Sequence, residues 1–196
     1  MSLAADVERH IRDAYPGLIL DFKRKVSFSQ LRKSAVTSKL ACQELLRSND
    51  IEVLRSSRTG GYGSEIILLA LRPASRHAKP TPLTEVEYEK RIRLREVDPW
   101  QWVLGFSVLG PFYYSRWSSL WKPNTSKTVF DSYGEPPSSF WIDVQSRLLE
   151  RLQELGLSRL SREILFSPVP WMSYGTIPMP DDLVVPTVSH CLFGFG

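Results

Sequence analysis

Apolar residues recur at helical spacing in two segments of the chain. In residues 4–15 the apolar positions are Val7, Ile11 and Ala14. Pro16-Gly17 ends this first pattern. Residues 139–155 carry Trp141, Val144, Leu148, Leu152 and Leu155 at helical spacing, and Gly156 follows them. The spacing predicts a short helix over residues 4–15 and a longer helix over 139–155.

A second helical zone and a β-hairpin are predicted between these helices. The helical zone, residues 27–49, is interrupted near Thr37-Ser38, which indicates two short helices. From Ile51 the apolar period changes to two, and a glycine-rich stretch at 58–64 interrupts it. This change predicts a hairpin over residues 51–72 with a glycine-rich tip.

The next predicted strands are aromatic. Residues 101–108 and 112–120 are separated by Gly110-Pro111, and the block from Trp100 to Trp121 holds eight of the chain's 22 aromatic side chains. Alternation along the two strands distributes these rings over both faces of a sheet, so most of them are predicted to be core. Further along, residues 157–166 suggest one or two helical turns, and residues 187–193 a closing strand.

Residues 84–97 fit two structures. Apolar and charged residues alternate as in a strand, whereas Thr84-x-x-Glu87 is a helix capping box with glutamates ahead of arginines. The alternation fits better and favours a strand. If that strand paired with its own copy about Lys90, each glutamate would face an arginine. This pairing predicts a homodimer edge formed by Glu85, Glu87, Glu89, Arg91, Arg93 and Arg95, and a charged edge that discourages pairing is the alternative.

Together these elements predict an α+β protein. Its antiparallel sheet, built from 51–72, 86–95 and 101–120, is expected to have helices packed on one face and a short helical amino-terminal part. A boundary near residue 80 would separate a basic helical part with the hairpin, residues 1–80, from an aromatic-rich part, residues 81–196. The length also suits one continuous domain.

Positive charge is concentrated in residues 1–80, which carry 14 Lys and Arg against 8 Asp and Glu, whereas residues 81–196 carry 11 against 13. Two helices followed by a hairpin, over residues 27–72, are also the ingredients of a winged helix. The alternative function is therefore a winged-helix DNA-binding protein with a carboxy-terminal sensing or dimerisation domain. The expected nucleic-acid-binding residues are Lys39, Gln43 and Arg47 on one helix face, with Arg55 and Arg58 on the wing. An ordinary solvated surface explains the same charges.

Candidate catalytic groups are few. Cys42 and Cys191 are far apart in sequence and are interpreted as buried free thiols. Asp181-Asp182 and His190 lack partners nearby in sequence, so we expect no metal, no cofactor and, on balance, no enzyme. No apolar stretch is long enough for a membrane helix and the start shows no secretory signal, so the expected location is cytoplasmic.

The aromatic block is a candidate protein-binding site as well as a candidate core. Arg116 is its one charged side chain, and a guanidinium among aromatic rings is typical of protein interfaces. We therefore expect a partner-binding site beside Gly110-Pro111, formed by Tyr113, Tyr114, Arg116 and Trp121. A core-edge arginine whose head reaches water is the alternative.

Residues 99–194 carry motifs that resemble a set of small bacterial proteins. The motifs are Gly110-Pro111-Phe112-Tyr113-x-x-Arg116-Trp117, then Phe130-Asp131-Ser132-Tyr133-Gly134-Glu135-Pro136-Pro137 before Phe140-Trp141, then Pro168-Val169-Pro170-Trp171, and finally Thr187-Val188 with Leu192-Phe193. They resemble immunity-type proteins found beside polymorphic toxins. The resemblance implies a non-catalytic inhibitor that binds and occludes a partner toxin. Many immunity proteins against nucleases are acidic, so the basic charge of this chain argues against a nuclease as the partner.

Overall fold

The fold combines helices with a β-sheet, as expected of an α+β protein. The structure, a computed structural model, describes residues 4–20, 51–59, 63–71, 97–119, 130–132, 139–174 and 185–194. The predictions that lie outside the described residues concern the helical zone 27–49 with Lys39, Gln43 and Arg47, Trp121, and the proposed dimer edge with Glu85, Glu87, Glu89, Arg91, Arg93 and Arg95.

The described strands form one sheet. They are β1 (Ile51–Thr59), β2 (Gly63–Leu71), β3 (Val97–Ser107), β4 (Phe112–Ser119), β5 (Phe130–Ser132) and β6 (Ser158–Arg159). Strands β1 to β5 are neighbours in sequence order and pair antiparallel. The predicted hairpin and both aromatic strands are thereby confirmed. The sheet is mixed rather than wholly antiparallel, because β6 pairs parallel to β4.

The described helices are α1 (Ala5–Ala14), α2 (Ser139–Glu154), α3 (Arg162–Leu165) and α4 (Val188–Phe193). The first two confirm the helices predicted from apolar spacing, and α3 is the helical turn expected after α2. Gly156 follows α2 with φ +75°, a left-handed conformation that glycine adopts without steric cost.

The strand predicted over residues 187–193 is wrong, because these residues form α4. The side chain of His190 accepts a hydrogen bond from the backbone N–H of Thr187 at 3.2 Å, as in a helix capping box. Gly194, at φ +78°, ends the helix. Every residue from Val188 to Phe193 is buried, so the segment has no apolar period from which a helix could be recognised.

Helices cover both faces of the sheet, which corrects the prediction that they pack on one face. Cross-strand pairs define the two faces. The tryptophan face carries Trp102, Leu104, Phe106, Tyr113 and Trp117, and α2 packs on it. The opposite face carries Val103, Gly105, Phe112, Tyr114 and Arg116, and its apolar side chains share a core with α1, α3 and α4.

The tryptophan face is centred on ring contacts. The rings of Trp102 and Trp117 stack with centroids 5.3 Å apart, and Trp141 of α2 lies 5.2 Å from Trp117. The Nε1–H of Trp102 donates to the Ser115 hydroxyl at 2.7 Å, so this indole is both buried and hydrogen-bonded. Sequence position explains the arrangement, since Trp102 and Trp117 are direct partners in the β3–β4 register.

The opposite face is assembled from segments of both chain ends. Tyr15, just after α1, donates its hydroxyl hydrogen to the Cys191 carbonyl of α4 at 2.8 Å. Ser107, at the end of β3, donates to the neighbouring Leu192 carbonyl at 2.8 Å. These two hydrogen bonds connect α4 to the end of α1 and to the sheet. Both are accepted by carbonyls in the last turn of α4, which have no hydrogen-bond partner within the helix. In the part of the chain that the structure describes, several short segments therefore pack on this face, whereas one long helix packs on the tryptophan face.

Candidate partner-binding surface

Tyr113 and Tyr114 belong to the core. Tyr113 is 3% exposed and stacks on Phe106 of the tryptophan face, and burial raises the pKa of its phenol. Tyr114 is fully buried on the opposite face, where its ring lies edge-on to Phe193 with centroids 5.0 Å apart. Both rings expected in the partner-binding site therefore pack in the core.

Arg116 is partly buried on the opposite face. It pairs with Val103 across β3 and β4, so it shares a face with Tyr114 and not with Trp117, as alternation along a strand predicts. Its neighbours on the sheet are core residues, which fits the alternative interpretation of an arginine at the edge of the core.

Arg55 and Arg58 lie on β1, where their register partners on β2 are Ile67 and Ser64. Strand β2 pairs in turn with β3 along most of its length. The hairpin is therefore part of the sheet that carries the aromatic strands, and it is not a free-standing wing. The predicted boundary near residue 80 does not separate two sheets.

A different group of side chains, partly exposed and partly packed against the core, lies near the end of α1. The guanidinium carbon of Arg12 lies 4.0 Å from the centroid of the Trp171 ring, within the range of a cation–π contact. Arg12 also donates to Glu8 one helical turn earlier, at 2.9 Å from Nε. Ile19, seven residues further along the chain, is 51% exposed. We call Arg12, Ile19 and Trp171 the Arg12–Trp171 surface.

The backbone of this surface is held in a defined shape. Leu18 has φ +56°, a left-handed conformation that is unfavourable for a residue with a branched side chain. The Leu18 N–H donates to Tyr15 at 2.9 Å, and the Leu18 carbonyl accepts from Ser173 at 3.0 Å. Ile19 then pairs with Ser173 in a parallel bridge. Because strained backbone conformations concentrate at functional sites, the turn around Leu18 is a candidate for function.

Sequence reasoning missed this surface, because its members lie at opposite ends of the chain. Arg12 occupies the polar side of a helix, and Trp171 follows two prolines in a segment without apolar periodicity. The one available signal was a tryptophan in a proline-rich segment, where a ring has no regular element to bury it. That signal carries no information about which partner lies against the ring.

Cys191 and His190 occupy structural positions on α4. Burial raises the pKa of the Cys191 thiol to about 12, so the thiol stays protonated at neutral pH and is a poor nucleophile. The expected buried free thiol is thus confirmed for Cys191, whereas Cys42 lies outside the described residues. His190 is 4% exposed, and its Nδ1 lies 2.6 Å from the Thr187 hydroxyl and 3.2 Å from the Thr187 amide nitrogen.

Within the described ranges, no group of three or more His, Cys, Asp or Glu side chains is placed to hold a metal ion. Asp181 and Asp182 lie outside those ranges. Among the helices described, none is both long and apolar enough to cross a membrane. In comparisons with family models, curated proteins and solved structures, no match to the chain reached significance.

Proposed function

We propose that the chain is a non-catalytic binding protein of the immunity type, which occludes a partner toxin through the Arg12–Trp171 surface. The observation that carries the proposal is an accessible arginine stacked on a tryptophan, with an exposed isoleucine bridged to Ser173, two residues after that tryptophan. Arginine and tryptophan are the residue types most enriched at the energetic centres of protein interfaces. The motif resemblance supports the inhibitor class, and the surface supplies a place for binding.

The order of this surface favours tight binding. Arg12 is held by Glu8 and by the Trp171 ring, and the turn at Leu18 is fixed by backbone hydrogen bonds. A partner would therefore immobilise few additional rotamers, and the entropic cost of association would be correspondingly small. The charged pair would also discriminate between partners, because a partner must complement both a guanidinium and a carboxylate.

The chemistry-bearing side chains of α4 support a role without catalysis. The Cys191 thiol is buried and protonated, and the Nδ1 atom of His190 is engaged by Thr187. Both groups already stabilise the core, so neither is presented to a substrate. The aromatic strands are likewise committed to packing, since their rings make up the tryptophan face.

The test is binding of the purified chain to the protein encoded beside its gene, measured by calorimetry, together with growth of cells that produce that protein. If the neighbour is a toxin, the chain should bind it and restore growth. Arg12→Ala should weaken binding by about 30-fold or more, the loss expected at an interface hot spot. Arg151→Ala is the matched control, because Arg151 is similarly exposed and pairs with Glu154 on α2, away from this surface.

Equal binding by both variants would exclude the Arg12–Trp171 surface as the interface. A neighbouring product that neither binds the chain nor arrests growth would overturn the inhibitor function. Steeply salt-dependent binding to random duplex DNA would instead favour DNA binding, with Arg55 and Arg58 as the residues to replace.

A further inference from the structure

The first turn of α4 is closed by an imidazole rather than by a carboxylate. In a capping box the third helical residue returns its side chain to the backbone N–H of the cap, and glutamate or glutamine normally fills this position. Here His190 fills it, and its Nδ1 atom lies 3.2 Å from the Thr187 amide nitrogen. A backbone N–H can only donate, so Nδ1 must accept and cannot carry a proton.

A second set of contacts depends on the same nitrogen. The Thr187 hydroxyl lies 2.6 Å from Nδ1 and 2.8 Å from the Ser189 hydroxyl, so the two hydroxyls and the ring form a short chain of hydrogen bonds. The Tyr174 hydroxyl approaches Nδ1 at 3.5 Å, and its ring lies edge-on to the imidazole. Protonation of Nδ1 would turn an acceptor into a donor facing the Thr187 N–H, and the cap would open.

The capping box lies at the start of α4, a helix that is buried along its whole length. Val188, Cys191, Leu192 and Phe193 of α4 all belong to the core of the opposite face. The Tyr15 and Ser107 hydroxyls hold the carbonyls at the end of this helix. Opening the cap would therefore loosen a helix whose side chains fill that core, and the Cys191 thiol would become accessible to reagents.

We propose that Thr187, His190 and Tyr174 form an acid-sensitive lock, which keeps α4 on the sheet at neutral pH and releases it when His190 binds a proton. We call these three residues the His190 lock. The inference stands independently of the partner-binding function, because it depends on the geometry of α4 alone.

The direction of the pH effect follows from burial. Desolvation lowers the pKa of His190 below its ordinary value near 6.5. At a pH above that ordinary value, His190 is unprotonated both when α4 is packed on the sheet (the closed state) and when it is released (the open state). The lock then contributes its full free energy to the closed state. As the pH falls below the ordinary value, the open state takes up a proton first, so the closed state is progressively lost until the pH reaches the lowered pKa.

Among the described residues, the titratable groups beside the ring stay neutral over this range, and those of the neighbouring α3 are exposed. Burial raises the pKa values of Tyr174 and Cys191, the described titratable groups beside the ring. Arg162 and Glu163 of the neighbouring α3 are exposed. Glu65, which pairs with Gly105 in the sheet under α4, and Asp181-Asp182, which precede the cap in sequence, are the acidic residues to replace in controls.

The test compares the chain with its His190→Asn variant, both carrying Cys42→Ala. Asparagine places an oxygen near the position of Nδ1, so it retains an acceptor for the Thr187 N–H but does not titrate. The measured quantity is the rate at which 4,4′-dithiodipyridine modifies Cys191, divided at each pH by the rate for the urea-unfolded chain. This ratio should rise about three- to tenfold between pH 7.5 and 5.5 with His190 present, and stay constant in the variant.

The hydrogen-exchange protection of the α2 amides, followed in parallel, should stay native over the same range, because α2 packs on the tryptophan face and is not part of the lock. An equal rise in both proteins, or no rise in either, would overturn the proposal. A rise that disappears in Glu65→Gln or in Asp181→Asn/Asp182→Asn, but persists in His190→Asn, would assign the effect to those acids and overturn it as well.

If His190→Asn does not fold, nitrogen NMR of the unsubstituted imidazoles decides the question. His10→Gln and His77→Gln identify the remaining signal as His190. The proposal requires a neutral ring with the proton on Nε2 at pH 7.5 and a pKa below 6.5. A proton on Nδ1 at pH 7.5, or titration at or above the ordinary value, would overturn it.

Discussion

Among the described residues, one long helix packs on the tryptophan face through ring contacts, whereas shorter segments from both chain ends pack on the opposite face and are held by hydrogen bonds. On the first face, α2 brings Trp141 against Trp102 and Trp117. On the second, Tyr15 and Ser107 hold adjacent carbonyls of α4. The stability of the tryptophan face depends on how well its rings fill the space, and that of the opposite face also depends on individual hydrogen bonds. Substitutions on the two faces should therefore change the free energy of unfolding by different amounts.

The largest effect is expected from Trp141→Ala. The indole is fully buried, with its ring centroid 6.0 Å from Trp102 and 5.2 Å from Trp117, and its removal leaves a cavity that the rigid sheet cannot fill. The free energy of unfolding should fall by about 3–5 kcal/mol, measured by urea denaturation.

The matched control for this cavity is Ile142→Ala, the next residue on the same helix. Ile142 is half exposed, so its truncation should change the free energy of unfolding by less than about 0.5 kcal/mol. Similar effects of the two substitutions would contradict the packing of α2 through Trp141 on the tryptophan face.

Gly105→Ala should be the next largest change and tests the opposite face. A Cβ atom at this position would lie 1.9 Å from the Tyr114 ring, which crosses directly over the glycine and is itself packed against Phe193. Because the ring cannot move freely, overpacking should destabilise the protein by about 1–3 kcal/mol.

A double-mutant cycle with Tyr114→Ala isolates the cause of that loss. In the Tyr114→Ala background the clash is gone, and Gly105→Ala should become neutral or slightly stabilising, since glycine within a strand is unfavourable. If the effects of the two substitutions on the free energy of unfolding were additive, the clash with the Tyr114 ring would not be the cause of the loss in Gly105→Ala.

The two faces also differed in how far the sequence could predict them. Apolar spacing predicted α1 and α2, and alternation predicted the aromatic strands with rings on both faces, because each of these elements is long enough to show its period. The helix α4 was missed, since six consecutive buried residues have no period and Thr187-Val188 suggest a strand.

The candidate binding surface was unpredictable for a related reason. The contact between Arg12 and Trp171 and the left-handed turn at Leu18 arise only when the two chain ends meet. Tyr113 and Tyr114 attracted the functional prediction because local aromatic density does not distinguish a core from an interface. Their burial follows from helices that cover both faces, which the pattern of a single strand cannot reveal.

Apart from the Ile142→Ala control, the smallest effect is expected from Tyr15→Phe, which removes one hydroxyl without changing the packing of the ring. The Cys191 carbonyl loses its 2.8 Å hydrogen bond, and the free energy of unfolding should fall by about 1 kcal/mol. Amide hydrogen exchange should localise the loss, with faster exchange in α4 and unchanged exchange in α2. Ser107→Ala should reproduce this pattern, because Ser107 holds the neighbouring carbonyl of Leu192. Equal acceleration of exchange in both helices would mean that the two faces open together and are not stabilised independently.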